Sequence, residues 1–254
     1  MHRFYQERSG CGVERDDLAK DILVPVRIVE GRPVLRFELV EVGNGDQESC
    51  ARCGPASQPA TYIPAAIIEE RIRQAVGDFL PPGPNVMFGR VDAFGHPELP
   101  SLVGAAVTEG VVRIGLETDG GALAAGGNAA GALHAGVRHV RVTCADLPKA
   151  VAGIASWAAA ARAAGVDAVA TAVVVLCSHN TSRLAQDTAL LAEAGAGAIT
   201  LDARALHASR DVVAQLVAAC DTGVVNGVWV EVLGAEELLP ESHALHRAPG
   251  GEAL

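Results

Sequence analysis

From Val34 to Leu233 the chain alternates short runs of β-branched apolar residues with longer Ala- and Leu-rich stretches of helical period. That alternation predicts βα units wound around a parallel sheet. Seven runs read as strands: VLRFELVEV (34–42), NVMFG (85–89), VVRIGLE (111–117), VRHVRVT (137–143), AVATAVVVL (168–176), AITL (198–201) and GVWVEVL (227–233). The helices between them carry start and stop signals. Pro64 opens one whose Ile68, Ile72 and Val76 share a face, and the glycines of AGV, EAG and AAG close others. Several strands are almost continuously apolar, the pattern of a sheet buried on both faces. Sequential right-handed βα units close into a full or partial barrel. An open doubly wound sheet is the competing architecture, but its G-x-G-x-x-G fingerprint is missing. GGALAAGG, after LETD, has its glycines in another order and reads as a helix start.

The flanks differ from this middle. Residues 1–33 carry many charges without a strong period, and 234–254 turn polar with Pro and Gly. The expected organisation is an N-terminal extension (1–33), one barrel (34–233) and a C-terminal tail (234–254), with PPGP at 81–84 as a loop inside the barrel. A length of 254 residues suits a single barrel domain.

Composition narrows the partners. With 50% hydrophobic and 20% charged residues the chain is a folded, soluble type, and 4% aromatics leave the core to Ala, Val, Leu and Ile. A net charge of −10 speaks against nucleic acid, whose recognition needs a basic face. The N-terminus has no apolar signal core, and the longest apolar run, Ala168 to Cys177, is too short for a bilayer. The expectation is a cytoplasmic protein with no membrane partner. In that compartment six scattered cysteines are thiols and not a disulfide framework.

In a parallel barrel, chemistry sits at the C-terminal strand ends. That rule selects GNGDQESCARC, RVDAFGHPEL, ETDG, CADLP, CSHN and DARAL, and it places Cys50, Cys53, Cys144 and Cys177 on one face. Cys50 and Cys53 sit in a polar turn at a spacing that lets two sulfurs reach one metal. Cys144 and Cys177 read more simply as packed thiols. Thr118, Thr143, Asn180, Asp202 and Arg204 are polar strand-end residues that serve as ligand contacts or as helix caps. His96 and His179 share the face, and a structural or solvated role suits both.

HPEL at 96–99 and LETDG at 116–120, downstream of that cysteine loop, make residues 34–233 resemble the radical S-adenosylmethionine (radical SAM) enzymes. The resemblance implies a partial (β/α)6 TIM-like barrel and a 4Fe–4S cluster held by a Cys-x3-Cys-x2-Cys loop. On that pattern Cys50 and Cys53 are two of the ligands and Asp46 stands at the first position, with Cys144 or Cys177 as the alternative third ligand. Contacts to S-adenosylmethionine fall on Asp92, Glu117, Thr118, Thr143, Asn180 and Arg204. The family's Gly-Gly-Glu-Pro turn becomes Arg90, Val91, Asp92 and Ala93, which sets a guanidinium near a position meant for an ammonium, an unfavourable placement unless Asp92 or Glu117 compensates. The implied activity is reductive cleavage of S-adenosylmethionine to a 5′-deoxyadenosyl radical that abstracts hydrogen from a small molecule or peptide. The alternative is a catalytically degenerate barrel of the same fold that binds a peptide or a partner enzyme.

Overall fold

The computed structural model describes residues 26–29, 32–35, 37–44, 61–79, 83–125, 127–204 and 209–233. Seven strands form one parallel sheet: β3 (Glu38–Glu41), β6 (Asn85–Gly89), β7 (Arg113–Thr118), β8 (Val137–Thr143), β9 (Val169–Val175), β10 (Ala198–Asp202) and β11 (Trp229–Leu233). Their spatial order is β11-β10-β9-β8-β7-β6-β3, so each strand lies beside the next along the chain and β8 is central. Between them run α1 (Ala65–Gly77), α2 (Leu99–Thr108), α3 (Gly121–Ala124), α4 (Asn128–Ala135), α5 (Leu147–Ala164), α6 (Leu184–Ala194) and α7 (Arg210–Val225). This is an α/β, TIM-like barrel layout, as the sequence predicts. Among the described residues β3 and β11 are the two edges and do not pair with each other, so the barrel is partial. No helix among the described residues is long and apolar enough to cross a membrane.

The expected first strand is divided. Residues 34 and 35 belong to β2 (Arg32–Leu35), which pairs antiparallel with β1 (Val26–Val29), and the parallel strand begins only at Glu38. A two-residue ladder of β4 (Gly43–Asn44) with β5 (Thr61–Tyr62) then leads into α1.

Local chemistry sets the helix ends. Asp146 accepts from the Lys149 amide at the start of α5, where Pro148 occupies the first turn, and Gly165 ends the helix in a left-handed conformation. Ser209 caps α7 by accepting from Val212 N at 3.2 Å. A Cβ on Gly153 would lie 2.5 Å from the Gly120 carbonyl, so glycine at 153 is what lets α5 press onto the turn after β7.

One hydrophobic cluster fills the space between the helices and one face of the sheet. Phe88, Leu116, Val140, Val142, Ala172, Val174, Ile199, Leu201, Val230 and Val232 supply the sheet side of it. Period-two alternation sends their neighbours to the other face. Those neighbours include Glu41, Glu117, His139, Arg141, Thr143, Thr171, Thr200, Asp202 and Glu231. The sheet is thus buried on both faces, as the apolar runs predict, but the second face is mixed, with Met87, Val173 and Leu233 buried beside these polar side chains.

Candidate ligand site at the strand ends

The polar face is organised by charge. Register pairs Glu117 of β7 with Arg141 of β8, and the guanidinium meets the carboxylate at 3.1 Å with side chains only 13% and 12% exposed. Glu117 can lie flat across β6 because residue 89 is glycine; a Cβ there would fall 2.1 Å from its Oε2. Arg90 adopts φ +72°, a left-handed conformation rare for a residue with a side chain. That conformation aims its amide at Glu117 Oε2, 2.7 Å away, while its guanidinium pairs with Glu41 at the end of β3.

On the other side of Arg141, Asp202 ends β10 and holds Arg204 through both carboxylate oxygens. Burial works to raise the Asp202 carboxyl, but the Arg204 hydrogen bonds and the charges of Arg204 and Arg141 hold it below the usual carboxylate range. Thr200 donates to Glu231 Oε2 at 3.5 Å. Acid and base thus alternate across the strand ends: Glu41, Arg90, Glu117, Arg141, Asp202, Arg204.

Below this row His139 packs its ring 4.9 Å from that of Phe37 and meets Thr171 Oγ1 through Nε2 at 3.2 Å. Burial, reinforced by the charges of Arg113 and Arg141, lowers its pKa to about 3, so the imidazole is neutral. Its Nδ1 is buried without a hydrogen-bond partner among the described residues.

A second group lies on the rim. Asp92 accepts from Phe94 N at 3.0 Å and from Thr118 Oγ1 at 3.1 Å, and the Thr118 hydroxyl also accepts from Gly120 N at 3.1 Å. Asp119 accepts from Gly121 N at 2.8 Å and from Lys149 Nζ at 3.0 Å. Burial and the neighbouring Asp119 charge raise the Asp92 carboxyl. Burial alone would raise Asp119 too, yet the Gly121 amide and Lys149 outweigh it and the carboxyl is lowered. His96 uses both nitrogens structurally, Nε2 donating to Ile63 O at 2.9 Å and Nδ1 accepting from Glu98 N at 3.1 Å.

Thr143, Cys144, His179 and Asn180 meet elsewhere, in a cavity of about 610 Å³ between the ends of β8 and β9 and the first turns of α5 and α6. Asn180 closes its own turn, accepting from Cys177 N and donating to Val175 O, both at 2.9 Å. Burial pushes the Cys144 thiol up to about 12, and its Sγ donates to Val142 O at 3.6 Å, so it is an inert wall of the cavity. Cys177 forms no disulfide among the described residues. Asp46, Cys50 and Cys53 lie outside the described residues.

Of the strand-end residues expected from sequence, the structure puts Glu117 and Arg204 into the charged row, Asp92 and Thr118 into the rim, and Thr143 and Asn180 into the cavity wall. Sequence reasoning missed Arg141, Glu41 and Glu231. The available signal was the alternation His-x-Arg-x-Thr at 139–143, which breaks the apolar reading of β8.

No family model and no curated protein matches the chain. Solved structures similar to it include a candidate phosphonomutase from Burkholderia cenocepacia J2315, at 19% identity and TM-score 0.37 over 73% of this chain and 68% of that one. Another is QR15, an aldolase, at 14% identity and TM-score 0.40 over 66% and 73%. A third is a candidate lyase/mutase from the same Burkholderia, at 18% identity and TM-score 0.40 over 76% and 64%. At that level of similarity these names pass no activity to the chain.

These findings point away from radical SAM enzymes and correct the resemblance. With it go the 4Fe–4S cluster, S-adenosylmethionine, the radical reaction, and the degenerate barrel that binds a peptide or partner enzyme. Among the described residues no three His, Cys, Asp or Glu side chains gather as metal ligands. The short matches have local reasons instead. His96 of HPEL ties its loop to Ile63, and LETDG holds the Glu117 ion pair followed by the Thr118–Gly120 turn.

Proposed function

We propose that the chain binds a small molecule bearing a carboxylate or phosphate on the polar face of its sheet and transfers a proton on it. Arg141 is the anchoring cation, its guanidinium aimed by Glu117, and its charge is also felt by Asp202. The observation that carries this reading is the nearly buried Glu117–Arg141 pair on the central strands, with a glycine kept opposite it. A buried ion pair is a weak source of stability compared with packed apolar residues. The opposite face of the same sheet is apolar except for Thr118 at the end of β7, so the charge gathered on this face is a departure that a ligand explains. Guanidinium forks match carboxylate and phosphate geometry.

Proton transfer is the part of Asp92 and Asp119. Two adjacent carboxyls whose environments move their proton affinities apart, one raised and one lowered, form an acid and a base at one pH. The net charge of −10 speaks against a nucleic-acid partner and favours a small-molecule role in the cytoplasm.

Titration calorimetry with succinate, glycerol phosphate and the neutral succinamide tests the binding. The two anions bind, succinamide does not, and Arg141→Met weakens the anions at least tenfold while circular dichroism stays unchanged. Equal binding of succinamide, or unchanged binding to Arg141→Met, overturns the reading. Deuterium incorporation from solvent into the bound acid, followed by NMR and lost in Asp92→Asn, tests the proton step.

A further inference from the structure

The cavity between α5 and α6 is a different place from the charged row, and the mechanism above uses none of its chemistry. Its volume of about 610 Å³ falls in the range of small-molecule pockets. Leu147, Val151, Val174 and Leu190 make its walls apolar. One charged group is buried among them: Asp187 is 8% exposed. Its partner among the described residues is Arg183, one helical turn earlier, at 3.5 Å, the outer limit of a hydrogen bond. The Arg183 side chain is 58% exposed and belongs largely to water. A carboxylate offers about four acceptor positions, so a single long contact leaves most of that capacity open toward the cavity.

The geometry points to this cavity as a second binding site, for a small molecule with a short apolar body and an ammonium head, with Asp187 as the counter-ion. Charge in the walls agrees. Asp146 is a second carboxylate there, against one guanidinium, Arg183, and the Cys144 thiol stays protonated, so it adds neither a thiolate nor a metal ligand. Burial raises the Asp187 carboxyl against the lowering effect of Arg183, as expected of an acid short of partners in apolar surroundings. An ammonium supplies both missing donors and charge. An anion would have to compete with two carboxylates for an arginine that faces solvent.

The test uses the full chain and three probes of one length: hexylammonium, hexanol and hexanoate. Calorimetry at neutral pH gives affinities, and amide NMR shifts locate the site. Hexylammonium binds at least tenfold more tightly than hexanol, its shifts concentrate at 143–151 and 177–190, and hexanoate produces the smallest shifts at those residues. Asp187→Asn brings hexylammonium down to hexanol, while Arg141→Met leaves the hexylammonium and hexanol affinities unchanged, which separates this site from the charged row. If Asp187→Asn does not fold, Val151→Phe serves instead by filling the cavity and abolishing hexylammonium and hexanol binding. A preference for hexanoate at those residues, hexylammonium shifts elsewhere, or no binding of hexylammonium overturns the proposal.

Discussion

The two faces of the parallel sheet are built from the same strands and solve opposite problems. On the helix side, Phe88, Leu116, Val142 and Leu201 are fully or almost fully buried in one continuous apolar cluster. On the other side the same strands present Gly89, Glu117, Arg141 and Asp202. The first face gains most from the hydrophobic effect, at roughly 25 cal/mol per Å² of apolar surface removed from water. The second spends stability on desolvated charge and recovers it only through exact pairing. One face holds the chain together and the other carries the proposed ligand site.

The sharpest way to break that division is to cut into the apolar face. Phe88→Ala should destabilise by about 3–5 kcal/mol through loss of a fully buried ring, measured by urea unfolding. Ligand affinity among the molecules that still fold should be little changed. On the polar face, Glu117→Ala should cost about 3 kcal/mol, because it removes the main carboxylate partner of a nearly buried guanidinium. Adding Arg141→Met to Glu117→Leu should restore stability to near the parent while anion binding remains lost. A double variant as unstable as the single one would show that the ion pair is a stability device, and the comparison would fail.

Acid probes the same face more gently. His139 is neutral in the fold, with a pKa of about 3, whereas in the unfolded chain it takes a proton near pH 6.5. The unfolded state therefore binds more protons as pH falls. Stability from this residue is present above pH 6.5 and is lost on acidification toward about 3, with a slope of at most about 1.4 kcal/mol per pH unit. Unfolding curves at stepped pH should show that slope, and His139→Phe should flatten it. The smallest effect belongs to the rim. Lys149→Met removes a half-exposed ion pair with Asp119 and should cost under about 1 kcal/mol by the same measurement.

The fold was legible because apolar periodicity is a local signal. Six of the seven parallel strands lie within two residues of their expected bounds, and Pro64 opens α1 as its position foretells. The seventh failed for a reason the pattern cannot show: Val34–Val42 is apolar enough for one strand, but its first residues pair backwards with Val26–Val29. Much less of the site was legible. Glu117 was singled out, yet its partner Arg141 is 24 residues away and is identified only by strand register, which includes a shift between Ile114 and Gly115. Thr118, next to Glu117, points to the opposite face and joins the rim with Asp92 instead. The motifs HPEL and LETDG misled because four or five residues can be fixed by a turn and an ion pair without any shared ancestry.

The order of the strands has a consequence in time. Every neighbour pair in the sheet joins consecutive parallel strands, so each strand that leaves the ribosome finds its partner already made. Loop-closure entropy is met in short instalments, and domains grow from their N-terminal side during synthesis. The apolar face can thus assemble one βα unit at a time. The Glu117–Arg141 pair becomes possible once β8 is in place, and Asp202 joins it two strands later, so the recognition surface is completed after much of the core that supports it.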